Sequence, residues 1–174
     1  MRVLSFLLLF FTLFSCASTK NLPPSKVEHI YLEPVVNRTG EEGLDVIFSK
    51  VANEVFYSDS RFKVEKFPTK GVTLLVKPTV NSISTFAVGF DRYDRAVEYR
   101  MTITATVKLV RYGFTKSIYT FKITRYDFYD ATGTPEEIET RRKECIERIA
   151  YDIFREVGER ILVKGREIES SPKL

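Results

Sequence analysis

From Val97 to Leu109 the sequence alternates strictly between two kinds of side chain (VEYRMTITATVKL). The odd-numbered positions are apolar or aromatic, whereas the even-numbered positions are polar or charged and include three threonines. Neighbouring side chains of a β-strand point to opposite faces of the sheet, so this segment predicts a strand with one buried and one polar face. Another layer of the fold must cover the buried face.

Two other segments show the helical periodicity that could provide this cover. Apolar residues recur every three or four positions from Leu44 to Tyr57, and again from Pro135 to about Leu162. Thr134, Pro135 and the two glutamates that follow are typical of a helix start. Gly158 interrupts the second apolar stripe at a cost of about 1 kcal/mol relative to alanine.

Shorter stretches predict the remaining strands. Apolar and polar residues alternate over 27–36, 62–66, 72–86 and 117–125, with a charged and aromatic hairpin connection at 87–96. Pro78 lacks an N–H group, so it predicts a sheet edge or a bulge in the third of these strands. The order of the elements predicts an α+β fold, with two helices packed on one face of a mixed or antiparallel four- to five-stranded sheet.

The N-terminal segment from Val3 to Phe14 is apolar, but its length of about a dozen residues is short of the ~20 that a membrane-spanning helix needs. A short apolar run after a basic residue and before small residues is typical of a secretory signal peptide. The sequence Leu13-Phe14-Ser15-Cys16 resembles a bacterial lipobox. The resemblance implies cleavage before Cys16 and attachment of a diacylglycerol and an N-acyl chain, such as palmitate, to that cysteine.

These features divide the chain into four predicted parts. Residues 1–15 are a lipoprotein signal peptide, 16–26 a lipidated tether with two adjacent prolines, 27–163 a single α+β domain and 164–174 a disordered tail. Several acyl chains would hold the protein firmly at a membrane, because each buried CH₂ contributes about 0.8 kcal/mol. Ala17, rather than aspartate, follows the cysteine, and by resemblance to lipoprotein sorting rules this implies the periplasmic face of the outer membrane.

The composition argues against several classes of protein. Cys16 and Cys145 are the two cysteines, so lipidation of Cys16 would exclude a disulfide framework, and Cys145 is interpreted as a small buried residue. With His29 as the one histidine, we predict no metal site and no cofactor other than the acyl chains. The sequence contains neither a Gly-rich phosphate loop nor a nucleophile elbow, which argues against an enzyme. The net charge of +4 is too small to indicate nucleic-acid binding, and export also disfavours it.

Several stretches together resemble the LptE family of lipopolysaccharide-assembly lipoproteins. They are the lipobox at Cys16, YLEPVVNRTGEEGLD (31–45), DSRFKVE (59–65), VEYRMTITATVKLV (97–110) and CIERIAYDIFREVGERIL (145–162). The resemblance implies two helices packed on a sheet, in agreement with the element pattern. It also implies a non-enzymatic protein that plugs the LptD β-barrel at the outer membrane, helps that barrel assemble and binds lipopolysaccharide on its way to the cell surface.

Lipopolysaccharide carries phosphates and acidic sugars, so a protein that binds it needs cations, and arginine grips phosphate with two donors. The hairpin connection supplies Arg92 and Arg95, and Arg100 follows at the entrance of the long strand, with aromatic residues among them. By its position ahead of EYRM, Arg92 resembles a basic residue of the family implicated in lipopolysaccharide contact. A second basic cluster, formed by Arg141, Arg142 and Lys143, lies in the neighbourhood of another such residue.

Two interpretations of these charges are open. Asp91 and Asp94 alternate with Arg92 and Arg95, so the hairpin is also compatible with a solvated turn, whose exposed ion pairs contribute about 0–1 kcal/mol. The cluster at 141–143 is also compatible with solvent-facing charge in the first turns of a helix. The threonine-rich face of the long strand could lie against a barrel wall or could be a solvated sheet face.

The alternative function is that of a regulatory envelope lipoprotein, either a cell-wall synthase activator or a secretion-channel accessory protein. The NRTGEEGLD segment also fits these groups. An activator that reaches the cell wall needs a long linker, whereas about ten tether residues before Val27 reach at most roughly 35 Å. The short tether favours a partner close to the membrane.

Overall fold

The computed structural model describes residues 27–170, with side chains described as far as Lys164. The elements run in the order β1 (Glu28–Leu32), β2 (Val36–Asn37), α1 (Leu44–Ser58), β3 (Phe62–Val64), β4 (Leu74–Phe90), β5 (Ala96–Arg111), β6 (Tyr119–Asp130) and α2 (Pro135–Ser170). The signal peptide, lipobox and tether predicted for residues 1–26 lie outside the described residues.

The strands form one mixed sheet. Its order is β3-β1-β4-β5-β6, with the two-residue β2 also paired to β4. β1 runs parallel to β3 and β4, whereas β4, β5 and β6 form an antiparallel meander. The predicted α+β fold is confirmed, and the sheet has six strands when β2 is counted.

Both helices cover the same face of the sheet. The odd-numbered residues of β5 from Met101 to Leu109 are buried, as the alternation predicts, and they share one core with the apolar stripes of the helices. Phe154 of α2 forms edge-to-face ring contacts with Phe48 and Phe56 of α1, at centroid distances of 6.0 and 6.4 Å. Such aromatic pairs contribute about 0.5–1.5 kcal/mol beyond the area that they bury.

The two helices run in the same direction, side by side. Lys50 of α1 pairs with Glu147, and Arg61, which follows α1, pairs with Glu159. Near this end Gly158 of α2 packs against Phe56 of α1 and Phe62 of β3, and a Cβ at that position would lie 3.7 Å from Phe56 Cε1 and 3.4 Å from Phe62 Cε2.

Local hydrogen bonds explain where each helix begins. Asn37 Oδ1 accepts the backbone N–H of Thr39, and Asn37 Nδ2 donates to the carbonyl of Glu41, so the NRTGEEG segment folds into a compact loop before α1. At α2, Thr134 Oγ1 accepts the backbone N–H of Glu137, whose carboxylate accepts the backbone N–H of Thr134. This reciprocal capping box confirms the predicted start of α2.

Three predicted boundaries differ from the structure. β4 runs from Leu74 to Phe90, against the predicted 72–86. Pro78 lies between the positions where β1 and β2 pair with β4, so its missing N–H costs no ladder hydrogen bond and this local gap fits the predicted edge. β6 extends five residues beyond Arg125, to Asp130. α2 extends to Ser170, into the segment 164–174 for which the sequence predicts a disordered tail, and no proline interrupts the helix there. Residues 171–174 lie outside the described range.

The tip of the β4–β5 hairpin projects beyond the end of the neighbouring strand β6, whose pairing with β5 ends at Glu98. β4 is mostly buried from Leu74 to Val80, but from Asn81 to Phe90 every residue is half-buried or exposed. At about 3.3 Å per residue, the tip lies about 50 Å along β4 from Leu74. Because β1 pairs with β4 from Leu74 onward, the hairpin tip and the start of β1 lie at opposite ends of the sheet.

Candidate functional site

Asp91 organises the turn at the tip of the hairpin. Its Oδ1 accepts the backbone N–H groups of Tyr93 (2.8 Å) and Arg95 (3.0 Å), and its Oδ2 accepts Arg95 Nε (2.8 Å). These hydrogen bonds, first among them that from the Arg95 backbone, lower the pKa of the Asp91 carboxyl. Asp94 adopts a left-handed conformation (φ 57°), which aspartate tolerates better than most residues. The tip is therefore an ordered turn that fixes the positions of its arginines.

The two arginines of the turn share one aromatic ring. Arg92 Cζ lies 4.7 Å from the centre of the Tyr93 ring, and Arg95 Cζ lies 5.5 Å from it. Arg95 also pairs with Asp91, with Nη2 2.7 Å from Oδ2, as expected for a solvated turn. Arg92 has no ion pair within the described residues, so its charge is available to a ligand.

Arg100 lies on the sheet face opposite to the helices, where aromatic side chains surround it. Phe86 of β4 and Phe128 of β6 are its cross-strand partners, and its Cζ lies 5.6 Å from the centre of the Tyr126 ring. The three aromatic side chains are between 42% and 60% exposed. We call Arg100, Phe86, Tyr126 and Phe128 the outer-face patch.

The sequence pattern indicates Arg100 but not the three aromatic residues around it. Phe86 lies on β4 and the other two on β6, so they meet around Arg100 of β5 only through the sheet register. A signal for two of them is present in β6, where Tyr126 and Phe128 occupy even positions, out of phase with the buried Phe121 and Ile123. An aromatic residue out of phase with the buried face of a strand indicates an exposed patch.

The residues of the second basic cluster have different surroundings. Arg141 donates from Nε to the carbonyl of Asp130 (2.9 Å) and from Nη2 to that of Thr132. Arg142 pairs with Glu41 in the loop before α1, with Nη2 2.6 Å from Oε2, and this hydrogen bond raises the pKa of Arg142. Lys143 is exposed and has no ion pair within residues 27–164. Arg141 and Arg142 thus hold parts of the fold together, and their role in ligand binding stays a prediction.

Both basic groups lie at the hairpin end of the sheet, but they face different ways. Asp130 pairs with Glu98, so α2 begins beside the start of β5. Arg100 projects from the outer face, whereas Arg142 points towards the α1 side. The structure therefore brings Arg92, Arg95 and Arg100 onto one hairpin and keeps the 141–143 cluster apart from them.

Hydrogen bonds join side chains of the threonine-rich outer face to one another. Thr104 Oγ1 and Thr124 Oγ1 lie 2.9 Å apart, and Thr106 Oγ1 donates to Asn81 Oδ1 (2.7 Å). These contacts satisfy polar groups without long charged side chains. The face is compatible with both interpretations that the sequence left open.

The remaining reactive groups have structural partners or are buried. His29 Nδ1 lies 2.7 Å from Glu65 Oε1 at the β1–β3 edge. Cys145 is completely buried, and burial raises the pKa of its thiol to about 11. Within residues 27–170, no three His, Cys, Asp or Glu side chains converge as metal ligands would. In the same range, neither helix combines the length and apolarity of a membrane span.

Solved structures with the same fold include three bacterial proteins of low sequence identity. Rare lipoprotein B from Shewanella oneidensis is similar with a TM-score of 0.59 at 10% identity, over 82% of this chain and 99% of that one. A putative lipoprotein from Caulobacter crescentus gives 0.53 at 13% identity, over 75% and 89% of the two chains. Hypothetical protein CT253 from Chlamydia trachomatis gives 0.52 at 13% identity, over 78% and 95%.

No curated protein sequence matches the chain significantly. The model of a protein family described as "LptE: Lipopolysaccharide-assembly" matches residues 27–161. This match runs from the residue before β1 into the last third of α2 and so includes the hairpin, the outer-face patch and both helices. The chain therefore belongs to the LptE family of lipopolysaccharide-assembly lipoproteins.

Proposed function

We propose that the protein is anchored by acyl chains on Cys16 to the periplasmic face of the outer membrane, where it partners an LptD-type β-barrel and binds lipopolysaccharide with its β4–β5 hairpin. Family membership supports the process, and the geometry of the hairpin supports the place of binding. The role is one of binding and positioning, without a catalytic step.

The observation that carries this proposal is the combination of available cations and flat aromatic surfaces on one projecting hairpin. Arg92 stacks on Tyr93 at the tip, and Arg100 lies over Tyr126 on the outer face. A guanidinium binds phosphate through two parallel donors, while an aromatic ring offers an apolar surface beside the charge. Lipopolysaccharide presents the matching groups, because its sugars carry phosphates and its acyl chains are apolar.

The placement of the hairpin also suits a protein that works beyond the membrane surface to which it is tethered. β1, the first strand after the proposed tether, begins at the end of the sheet opposite to the tip, about 50 Å away along β4. With a tether of about ten residues, the anchored protein can extend its tip away from its anchor and into a partner.

Charge reversal of Arg92 and Arg100 tests the binding site directly. These residues are better targets than Arg95, because Arg95→Glu would also break the contacts with Asp91 that order the turn. We expect R92E/R100E to weaken binding of the mature protein to labelled lipopolysaccharide at least about tenfold at low salt, and less at high salt, because salt screens exposed charges.

A matched control carries the same charge change elsewhere on the outer face. Lys108 and Lys122 are exposed on β5 and β6, nearer the other end of the sheet. K108E/K122E should leave lipopolysaccharide affinity close to that of the wild type. Equal losses in both variants would mean that net charge alone controls binding, and an unchanged affinity of R92E/R100E would remove the hairpin as the site.

A further inference from the structure

β6 is a terminal strand of the sheet within residues 27–170, so one of its long sides faces no other strand. The N–H of Ala131, directly after β6, donates to the carbonyl of Val97. Antiparallel strands exchange hydrogen bonds at every second residue, so the odd-numbered residues of β6 bond to β5. The backbone N–H and C=O groups of the even-numbered residues therefore point outward, at Thr120, Lys122, Thr124, Tyr126, Phe128 and Asp130.

Three arginines occupy carbonyl groups along this outward side. Arg125 Nη1 donates to the carbonyl of Thr124 (3.0 Å), Arg148 Nη2 to that of Phe128 (3.1 Å) and Arg141 Nε to that of Asp130 (2.9 Å). Two of these arginines come from α2 and reach over the edge of the sheet. Exposed sheet edges pair readily with other strands, and charged side chains are a common protection against this.

Carboxylates hold each of the three guanidinium groups in place. Arg125 pairs with Glu156 of α2, and Arg148 Nε lies 2.5 Å from Asp127 Oδ2. Arg141 Nη2 lies 3.9 Å from Asp130 Oδ1. The cover is therefore built from fixed ion pairs and not from free surface charges.

The sequence of β6 is complementary to itself in one antiparallel register. When two copies pair around Tyr126, Arg125 of each lies opposite Asp127 of the other, and Lys122 lies opposite Asp130. In this register the even-numbered residues of the two copies form the hydrogen-bonded pairs, as their outward N–H and C=O groups require. Moving the centre by one residue would place Arg125 opposite itself or Asp127 opposite itself, and like charges directly opposite are destabilising.

We propose that β6 is a latent pairing edge for a second copy of this chain, and that Arg125, Arg141 and Arg148 keep it closed by occupying its outward carbonyls. The closed edge keeps the protein monomeric, so that its surfaces remain free for other partners. Loss of the two α2 arginines opens the edge while leaving the register-determining charges of β6 in place.

The proposal is tested with the variant R141L/R148L of the full mature chain in detergent. The quantity measured is the molecular mass of the protein in solution. We expect the variant to form a dimer in light scattering at protein concentrations where the wild type is a monomer. If the leucine variant does not fold, R141A/R148A allows the same measurement with smaller side chains. The control R155L/K143L also removes two cations from α2, but neither residue bonds to β6, and this control should stay monomeric.

A cysteine at the two-fold axis tests the register. In the opened variant, Tyr126→Cys should form an intermolecular disulfide under mild oxidation, because directly paired residues place their Cα atoms about 5.5 Å apart. Thr124→Cys should not, since two copies of residue 124 would lie about 13 Å apart along the strands. A monomeric R141A/R148A, or a dimer that cross-links through residue 124 and not 126, would overturn the proposal.

Discussion

The Arg61 guanidinium grips both carboxylate oxygens of Asp59 just after α1, with Nε 2.9 Å from Oδ1 and Nη2 2.6 Å from Oδ2. The same guanidinium reaches Glu159 of α2 at 2.8 Å. One arginine therefore joins the end of α1 to the neighbouring helix. This contact lies on the far side of the molecule from the hairpin tip, so it can be altered without touching the proposed binding site.

The Asp59 contact predicts a sensitivity to acid. Hydrogen bonding from Arg61, opposed by partial burial, lowers the pKa of the Asp59 carboxyl below its usual value of 3.8. The stability that it contributes is therefore complete above the unfolded pKa and is lost as the pH falls through the folded pKa. Asp59→Asn should lower the free energy of unfolding near neutral pH by about 1 kcal/mol.

Urea denaturation at neutral pH and near pH 3 checks this prediction. The difference in stability between the wild type and Asp59→Asn should shrink as the pH falls below 3.8, because the unfolded carboxyl then binds protons more readily than the folded one. A difference that stays constant across that range would show that the carboxylate charge contributes nothing.

Gly158 predicts opposite effects for a small and a large substitution. A Cβ at this position would lie 3.4 Å from Phe62 Cε2 and 3.7 Å from Phe56 Cε1, close to ordinary contact. Gly158→Ala should therefore be neutral or should stabilise the protein by up to about 1 kcal/mol, since alanine is the better helix former. Gly158→Leu should destabilise it by about 1–3 kcal/mol by overpacking against the two rings. Thermal unfolding distinguishes the pair, and equal effects of Ala and Leu would contradict the close packing.

Cys145 should report on the contact between α2 and the sheet. The side chain is completely buried, and burial raises the pKa of its thiol to about 11, so very little thiolate is present at neutral pH. A thiol reagent should therefore label Cys145 only at the rate at which α2 separates from the core. Labelling should accelerate in Phe154→Ala, which removes about 3–5 kcal/mol of core packing. Rapid labelling of the native wild type would contradict the placement of this residue.

The hydrophobic periodicity of the sequence predicted most helices and strands, because it depends only on residues that are neighbours along the chain. The alternation from Val97 to Leu109 predicted β5. The apolar stripe of α1 predicted a helix over Leu44–Tyr57, and the observed helix is Leu44–Ser58. The end of β6 was missed because its helix-facing side changes from apolar to charged after Ile123. Arg125 and Asp127 pair there with Glu156 and Arg148, so ion pairs replace apolar burial and the hydrophobic alternation stops before the strand does.

The candidate site was predicted only in part because its components meet through long-range pairing. Arg92, Arg95 and Arg100 are close in sequence, and their shared hairpin follows from that closeness. Phe86 and Phe128 reach Arg100 only through the registers of two neighbouring strands, which the sequence does not specify. The parallel pairing of β1 with β3 and β4 was equally beyond a local pattern, since it depends on the helix that connects the strands.

Capture of the intact lipidated protein from gently solubilised membranes tests whether it partners an outer-membrane barrel. We expect a β-barrel of the LptD type to be recovered in a fixed ratio with the wild type. A Cys16→Ser control should be recovered without acyl chains and with much less barrel. Recovery of the lipidated wild type as a monomer, free of any such barrel, would contradict the proposed partnership.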